Sequence, residues 1–256
     1  MKILLKINDF IDVKYSTFFI LLLTFLTGQF KPILIFLILS GIHELGHLTA
    51  CLIFKVKLKK MTILPFGFNL EIENKISLKS YQEMIIYLSG PFMYFINLVL
   101  LHQIYAHGII SQITFQFAIN ANIALNLFNL LPIYPLDGFR VLNCFTHYLL
   151  PYKKSLIISL FISLFFFAAL LVYNFYNPQI VITLFLFFMQ FQFIKEIPLL
   201  YKKFLLSKTF NKKHKKFKVL NNYLMYKECN NYKIENDQLL DDKKIALKLL
   251  SQQKNK

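Results

Sequence analysis

Apolar residues in this chain do not spread along one face of successive helices. They gather into long runs separated by short basic segments. From Met84 to Leu136 there are 53 residues without an Asp, Glu, Lys or Arg, and Ser155 to Ile194 is a second such run of 40. A helix crossing a bilayer needs about 20 mostly apolar residues, so turn residues must divide these runs. His102 to Gly108 divides the first, and Asn177 with Pro178 divides the second. Six spans result: Tyr15 to Phe30, Pro32 to Phe54, Met84 to Leu101, Ile109 to Leu131, Ser155 to Tyr176 and Pro178 to Ile194. The first is not read as a signal peptide, because it lacks a small-residue cleavage site and the next span begins at once. Between spans two and three, Met61 to Asn74 sets Asn69, Glu71 and Glu73 alternately against Leu70 and Ile72, a period of two that predicts a strand. The expected fold is therefore an all-α polytopic membrane protein of six transmembrane helices, with a small membrane-associated β segment after the second helix.

Composition agrees with that pattern. Of 256 residues 56% are hydrophobic and only 16% charged, where an average soluble domain has roughly 25%. An ordinary soluble enzyme is excluded. The three cysteines, Cys51, Cys144 and Cys229, form no CxxC pair, which argues against a disulfide framework or a thiolate metal knuckle. Positive residues near span ends are retained on the cytoplasmic side. With a cytoplasmic amino terminus, 28 Lys and Arg fall in cytoplasmic segments and Lys31 alone falls outside. Both termini are thus expected in the cytoplasm. Residues 1–198 form the expected membrane domain, and 199–256 a basic cytoplasmic tail suited to anionic lipid headgroups. Direct nucleic-acid binding is not expected, since no recognition motif accompanies the basic tail.

Within the second span the chain reads Ile42-His43-Glu44-Leu45-Gly46-His47-Leu48. On a helix His43 and His47, four apart, share a face and can reach one zinc ion, while Glu44 beside them is placed to activate water. A polar cluster that merely packs helices is the competing explanation. Three ionisable groups in five residues at bilayer depth are too costly for that role alone. Zinc in hydrolases takes three protein ligands, so one more is needed. Asp137 is the one acidic residue between Glu83 and Glu196. It follows Pro132 and Pro135, which stop the fourth helix, and precedes Gly138. An irregular path at this depth is tolerated only where protein buries it or it lines a polar cavity. His47 lies seven residues from the cytoplasmic end of its span, roughly 10 Å deep, and Asp137 belongs to the same side.

HELGH in a membrane span, followed about 90 residues later by Asn129-Leu130-Leu131-Pro132-Ile133-Tyr134-Pro135-Leu136-Asp137-Gly138, resembles the site-2 protease family of intramembrane zinc metalloproteases (peptidase family M50). The short chain and motif positions are most similar to the stage IV sporulation FB subgroup. The resemblance covers about Lys14 to Ile194. It implies one zinc per chain held by His43, His47 and Asp137, with Glu44 as the catalytic base and Asn129 near the substrate. Three departures stand out. Phe139 replaces the second glycine of the family's DGG, and Tyr94 occupies the asparagine position of its GPxxN signature, here Gly90-Pro91-Phe92-Met93-Tyr94. The subgroup also carries a nucleotide-sensing CBS domain at its carboxyl end, for which this Lys-Asn-rich tail is too short. A truncated regulatory domain is the expectation.

The expected function is a metalloendopeptidase acting in regulated intramembrane proteolysis. It would cut membrane-tethered protein substrates, such as a transcription-factor precursor, near the cytoplasmic face, with an inhibitory membrane partner as a candidate regulator. The strand at Met61 to Asn74 is a candidate for pairing with unwound substrate. A polytopic metal or ion transporter using the same four residues is the alternative, although no two-fold repeat is visible. Cys51, four after His47, reads as a small buried apolar residue. His102, His107, His147 and His214 read as surface residues. Gln238 to Leu250 spaces its apolar residues at helical intervals. Richness in Lys, Asn, Ile and Phe fits an AT-rich genome, so a bacterial cell membrane is the expected location.

Overall fold

The computed structural model describes residues 11–13, 25–28, 30–64, 67–72, 78–176, 180–210, 216–235 and 238–254. The chain divides into two compact units, Met1–Lys75 with Ile85–Leu130 and Ile76–Met84 with Leu131–Lys256. The first holds β1 (Ile11–Val13), α1 (Phe30–Ile53), β2 (Leu58–Leu64), β3 (Gly67–Ile72), most of α2 (Ser80–Ala106) and α3 (Gln112–Leu130). The second holds the first turn of α2, then α4 (Asp137–Leu149), α5 (Tyr152–Tyr176), α6 (Ile180–Thr209), β4 (Lys216–Val219), β5 (Cys229–Glu235), β6 (Gln238–Leu240) and α7 (Asp242–Lys254).

Four helices among the described residues are long and apolar enough to cross a membrane: Phe30–Ile53, Ser80–Ala106, Tyr152–Asn174 and Ile182–Thr209. They answer to the second, third, fifth and sixth expected spans. Large apolar side chains on them, Phe92, Phe161, Phe165 and Phe188 among them, face outward, as a lipid-embedded surface requires. The expected span Tyr15 to Phe30 lies mostly outside the described residues. The fourth expected span is the 19-residue helix α3, whose Gln112, Gln116, Asn120, Asn122, Asn126 and Asn129 lower its hydropathy. The described residues thus give four spans where six were expected.

Helix ends follow local chemistry. Lys55 adopts a left-handed conformation (φ 53°) after α1, where the Val56 amide reaches back to the Cys51 carbonyl at 2.8 Å and that of Lys55 to Leu52 at 3.0 Å. Gly108 (φ 70°) closes α2 in the same way, with the Ile109 amide on Ile104 at 3.1 Å and its own on Tyr105 at 2.9 Å. Both are Schellman closures, which satisfy carbonyls that a helix end leaves open.

In the first unit β1-β2-β3 form a sheet in that order, β1 parallel to β2 and β2 antiparallel to β3, with Met61 opposite Leu70. The segment expected as one strand therefore spans parts of both arms of a hairpin, residues 61–64 in β2 and all of β3, and β3 lies at the sheet edge among the described residues. Leu39, Leu101, Ala118 and Leu125 form the apolar contact joining the helices. Across α2 and α3 the Asn97 amide donates to Asn122 Oδ1 at 3.1 Å, and Asn122 donates to the Tyr94 carbonyl at 3.2 Å. Such amide pairs hold helices together where lipid offers no competing partner.

In the second unit Ser155, Ser159 and Ser163 are fully buried along one face of α5. Their small hydroxyls let α4 approach, and Ser159 contacts Thr146 Oγ1 at 3.0 Å and Asn143 Oδ1 at 3.2 Å. The tail was not expected to contain a sheet. Order β4-β5-β6 places β4 parallel and β6 antiparallel to β5. The helix expected over Gln238 to Leu250 begins only at Asp242, because Gln238–Leu240 pairs as β6 and Asp241 caps α7 by accepting the Lys244 amide at 3.0 Å. Ile245 and Ala246 on α7 join Leu220 and Met225 in one core with Tyr152, Leu156, Phe193, Phe204 and Leu205. The tail thus packs on α5 and α6 through this core.

Candidate metal centre

Seven apolar residues separate the start of α1 from Ser40 almost without interruption, and the helix then carries His43, Glu44 and His47 through one turn. The two histidines are 5% exposed and Glu44 is half-buried. Ligand atoms of all three lie within 4.8 Å of one another, the arrangement expected of a metal-holding group. The two Nε2 atoms are 3.3 Å apart. Two nitrogens bound tetrahedrally to one zinc at about 2.0–2.1 Å stand about 3.3 Å apart, so this spacing fits a shared ion.

The tautomer of His47 follows from its other nitrogen. His47 Nδ1 is 2.6 Å from the carbonyl oxygen of Ile86 on α2. A carbonyl can only accept, so Nδ1 carries the proton and Nε2 keeps its lone pair for a metal. Helix α2 can come this close because two glycines line the contact. Gly46 faces the Ser89 carbonyl, and Gly90 lies directly over the histidines, where an added Cβ would stand 2.5 Å from His47 Cε1 and 2.7 Å from His43 Nε2. Neither the Ile86 carbonyl nor the fit of Gly90 was visible as chemistry in the sequence. The Gly-Pro pair at 90–91 was the only mark there.

The remaining candidates sit as follows. Asn129 is half-buried one residue before the end of α3, on the same face as Asn122 and Asn126. Asn126 Oδ1 is buried without a hydrogen-bond partner. In the second unit, Asp137 is 6% exposed and opens α4, where a carboxylate is favoured by the helix dipole. Arg140, one turn on, stands 3.7 Å from it. The irregular backbone before Asp137 is satisfied by buried side chains: the Tyr134 amide donates to Ser163 Oγ at 3.0 Å and its carbonyl accepts from Gln190 at 2.9 Å. This meets the demand that broken helices at apolar depth find partners within the protein. Cys51 is fully buried. His147 departs from expectation: it is buried in α4, contacts Ser155 Oγ and stacks on Tyr152 at 4.4 Å.

The chain matches no protein-family model. It is 32% identical over 130 residues to stage IV sporulation protein FB of Bacillus subtilis, covering 51% of this chain and 45% of that protein. A zinc metalloprotease of Methanocaldococcus jannaschii is 34% identical over 125 residues, covering 44% of this chain and 34% of that one. The chain therefore spans less than half the length of either curated relative. Among solved structures, the site-2 protease from Methanocaldococcus jannaschii superposes with a TM-score of 0.54 at 23% identity, over 73% of this chain and 90% of that one, a likeness of fold. The chain carrying HELGH at 43–47 and NLLPIYPLDG at 129–138 is thus similar in sequence to a sporulation protein and a zinc metalloprotease, and similar in fold to a site-2 protease.

Proposed function

We propose that the protein is an intramembrane zinc metalloendopeptidase that cuts membrane-tethered substrates near the cytoplasmic face, with both termini in the cytoplasm. The observation that carries this reading is the paired imidazoles, 3.3 Å apart at Nε2, with the outer nitrogen of His47 tied to a backbone carbonyl. His43, His47 and Asp137 hold one zinc per chain in this reading. When bound there, zinc supplies Lewis-acid polarisation of the scissile carbonyl and makes water a better acid. The Glu44 carboxylate takes the proton from the attacking water and returns it to the departing amine. Asn129 donates to the developing oxyanion or to substrate backbone. A membrane-bound transcription-factor precursor is a fitting substrate class, with residues 1–198 forming the protease domain and 199–256 a regulatory remnant.

The purified full chain is expected to hold about one zinc by elemental analysis and to cleave membrane-tethered peptides. Asp137→Ala is expected to weaken zinc binding by about a hundredfold or more, beyond the usual effect of an outer-shell change. A folded wild type without zinc, or cleavage that survives chelation, overturns the reading.

Substrate helices must be unwound before hydrolysis, because their carbonyls are hydrogen-bonded. The edge strand β3 offers a row of backbone groups to an unwound segment. Leu70→Pro removes one N–H from that strand. A ladder hydrogen bond is worth about 0.5–1.5 kcal/mol, so cleavage is expected to fall up to about tenfold while zinc content stays constant. Unchanged cleavage by folded Leu70→Pro protein rules out pairing at β3.

A further inference from the structure

Residues Met225 to Glu228 cross the starts of two helices in the second unit. The Tyr152 amide, opening α5, donates to the Met225 carbonyl at 2.9 Å. The Ser80 amide, opening α2, donates to the Glu228 carboxylate. Between these two, the Lys227 ammonium donates to Glu83 Oε1 at 2.5 Å, with side chains only 6% and 4% exposed. The other Glu83 oxygen accepts from the Cys144 thiol at 3.3 Å. A buried pair satisfied on both sides resists displacement, since moving one partner strands the other charge away from water.

The segment presenting Lys227 is itself rigid. The Tyr226 amide donates to Asn231 Oδ1 at 2.8 Å, and Asn231 Nδ2 donates back to the Tyr226 carbonyl at 3.0 Å and on to Asp242 Oδ1 at 2.8 Å. Asp242 opens α7, and Lys208 on α6 donates to the Cys229 carbonyl at 2.7 Å. The tail therefore holds Glu83 from a braced loop.

Glu83 and Ile86 lie on one helix, three residues or about 4.5 Å of rise apart. Ile86 supplies the carbonyl that holds His47 Nδ1. We propose that Lys227 is a positioning residue for the metal centre: through Glu83 it fixes the first turns of α2, and with them the Ile86 carbonyl that sets the tautomer and aim of His47. The proposal rests on His47 being a metal ligand.

Two full-length variants in detergent test it. Glu83→Gln with Lys227→Met removes both charges and leaves no stranded ion, while Lys227→Arg keeps the charge. The first readout is the ring-nitrogen NMR signal of His47 in metal-free protein, assigned by its loss in His47→Gln. The second is cobalt(II) affinity by competition. The double variant is expected to turn a single Nδ1-protonated form into a mixture and to bind cobalt about tenfold more weakly, and Lys227→Arg to match wild type in both. A folded double variant with the wild-type ring signal and cobalt affinity overturns the proposal. If wild type shows the Nδ1-protonated form, the double variant loses it, and neither binds cobalt, the positioning role stands and the metal-centre reading falls.

Discussion

Glu44→Gln is expected to keep its zinc and lose its cleavage. The substitution preserves the shape of a half-buried side chain beside His43 and His47 but replaces a proton acceptor by an amide that cannot take a proton at neutral pH. A positioned general base contributes about 10²–10⁴-fold, and here the same group is asked to serve twice, at water and at the leaving amine. Single-turnover cleavage of a membrane-tethered peptide should therefore slow by about that factor or more. Elemental analysis of the same sample should still find the metal. Loss of zinc together with activity would make Glu44 a ligand, and unimpaired cleavage would remove it from the chemistry altogether.

Gly90→Ala is expected to damage the site as severely from the opposite side. The new methyl would stand 2.5 Å from His47 Cε1 and 2.7 Å from His43 Nε2, and closer still to His47 Nε2. Sliding α1 along α2 is limited beside it, where Gly46 faces the backbone carbonyl of Ser89 with no room for a side-chain carbon. The remaining outlet is rotation of the imidazoles, which separates the two nitrogens and strains the bond from His47 to Ile86. Overpacking of this kind costs about 1–3 kcal/mol of stability. Zinc affinity should fall about a hundredfold or more, in line with loss of a ligand rather than of an outer-shell contact. Zinc titration beside a melting curve in detergent checks both, and wild-type zinc affinity in folded Gly90→Ala would show that the helices have room to part.

The metal group was legible in the sequence because its parts are local. His43, Glu44 and His47 lie within one helical turn, and a run of apolar residues around them makes their cost plain. Four of the six expected spans were legible for a similar reason, while amides dilute the hydropathy of α3 and the first expected span lies mostly outside the described residues. What escaped were arrangements made by residues far apart in the chain. The carbonyl of Ile86 has no side-chain signature. A glycine at 90 reads as a packing residue until its neighbours are known. Lys227 looked like one of many tail lysines, and nothing near it in the sequence marks it as the partner of Glu83, 144 residues earlier. The tail sheet escaped because β4 and β5 pair in parallel across a connection, so their register is set by tertiary packing and not by a turn motif.

That separation of 144 residues also sets a schedule for biosynthesis. A ribosome adding about 5–20 residues per second needs about 7–29 s to pass from Glu83 to Lys227. For most of that interval His43, His47 and the helix that carries Ile86 have already been synthesised, while the cation that pairs with Glu83 has yet to be made. A chain released early would carry HELGH without its brace, and the order of synthesis makes the brace one of the last parts of the centre to be completed.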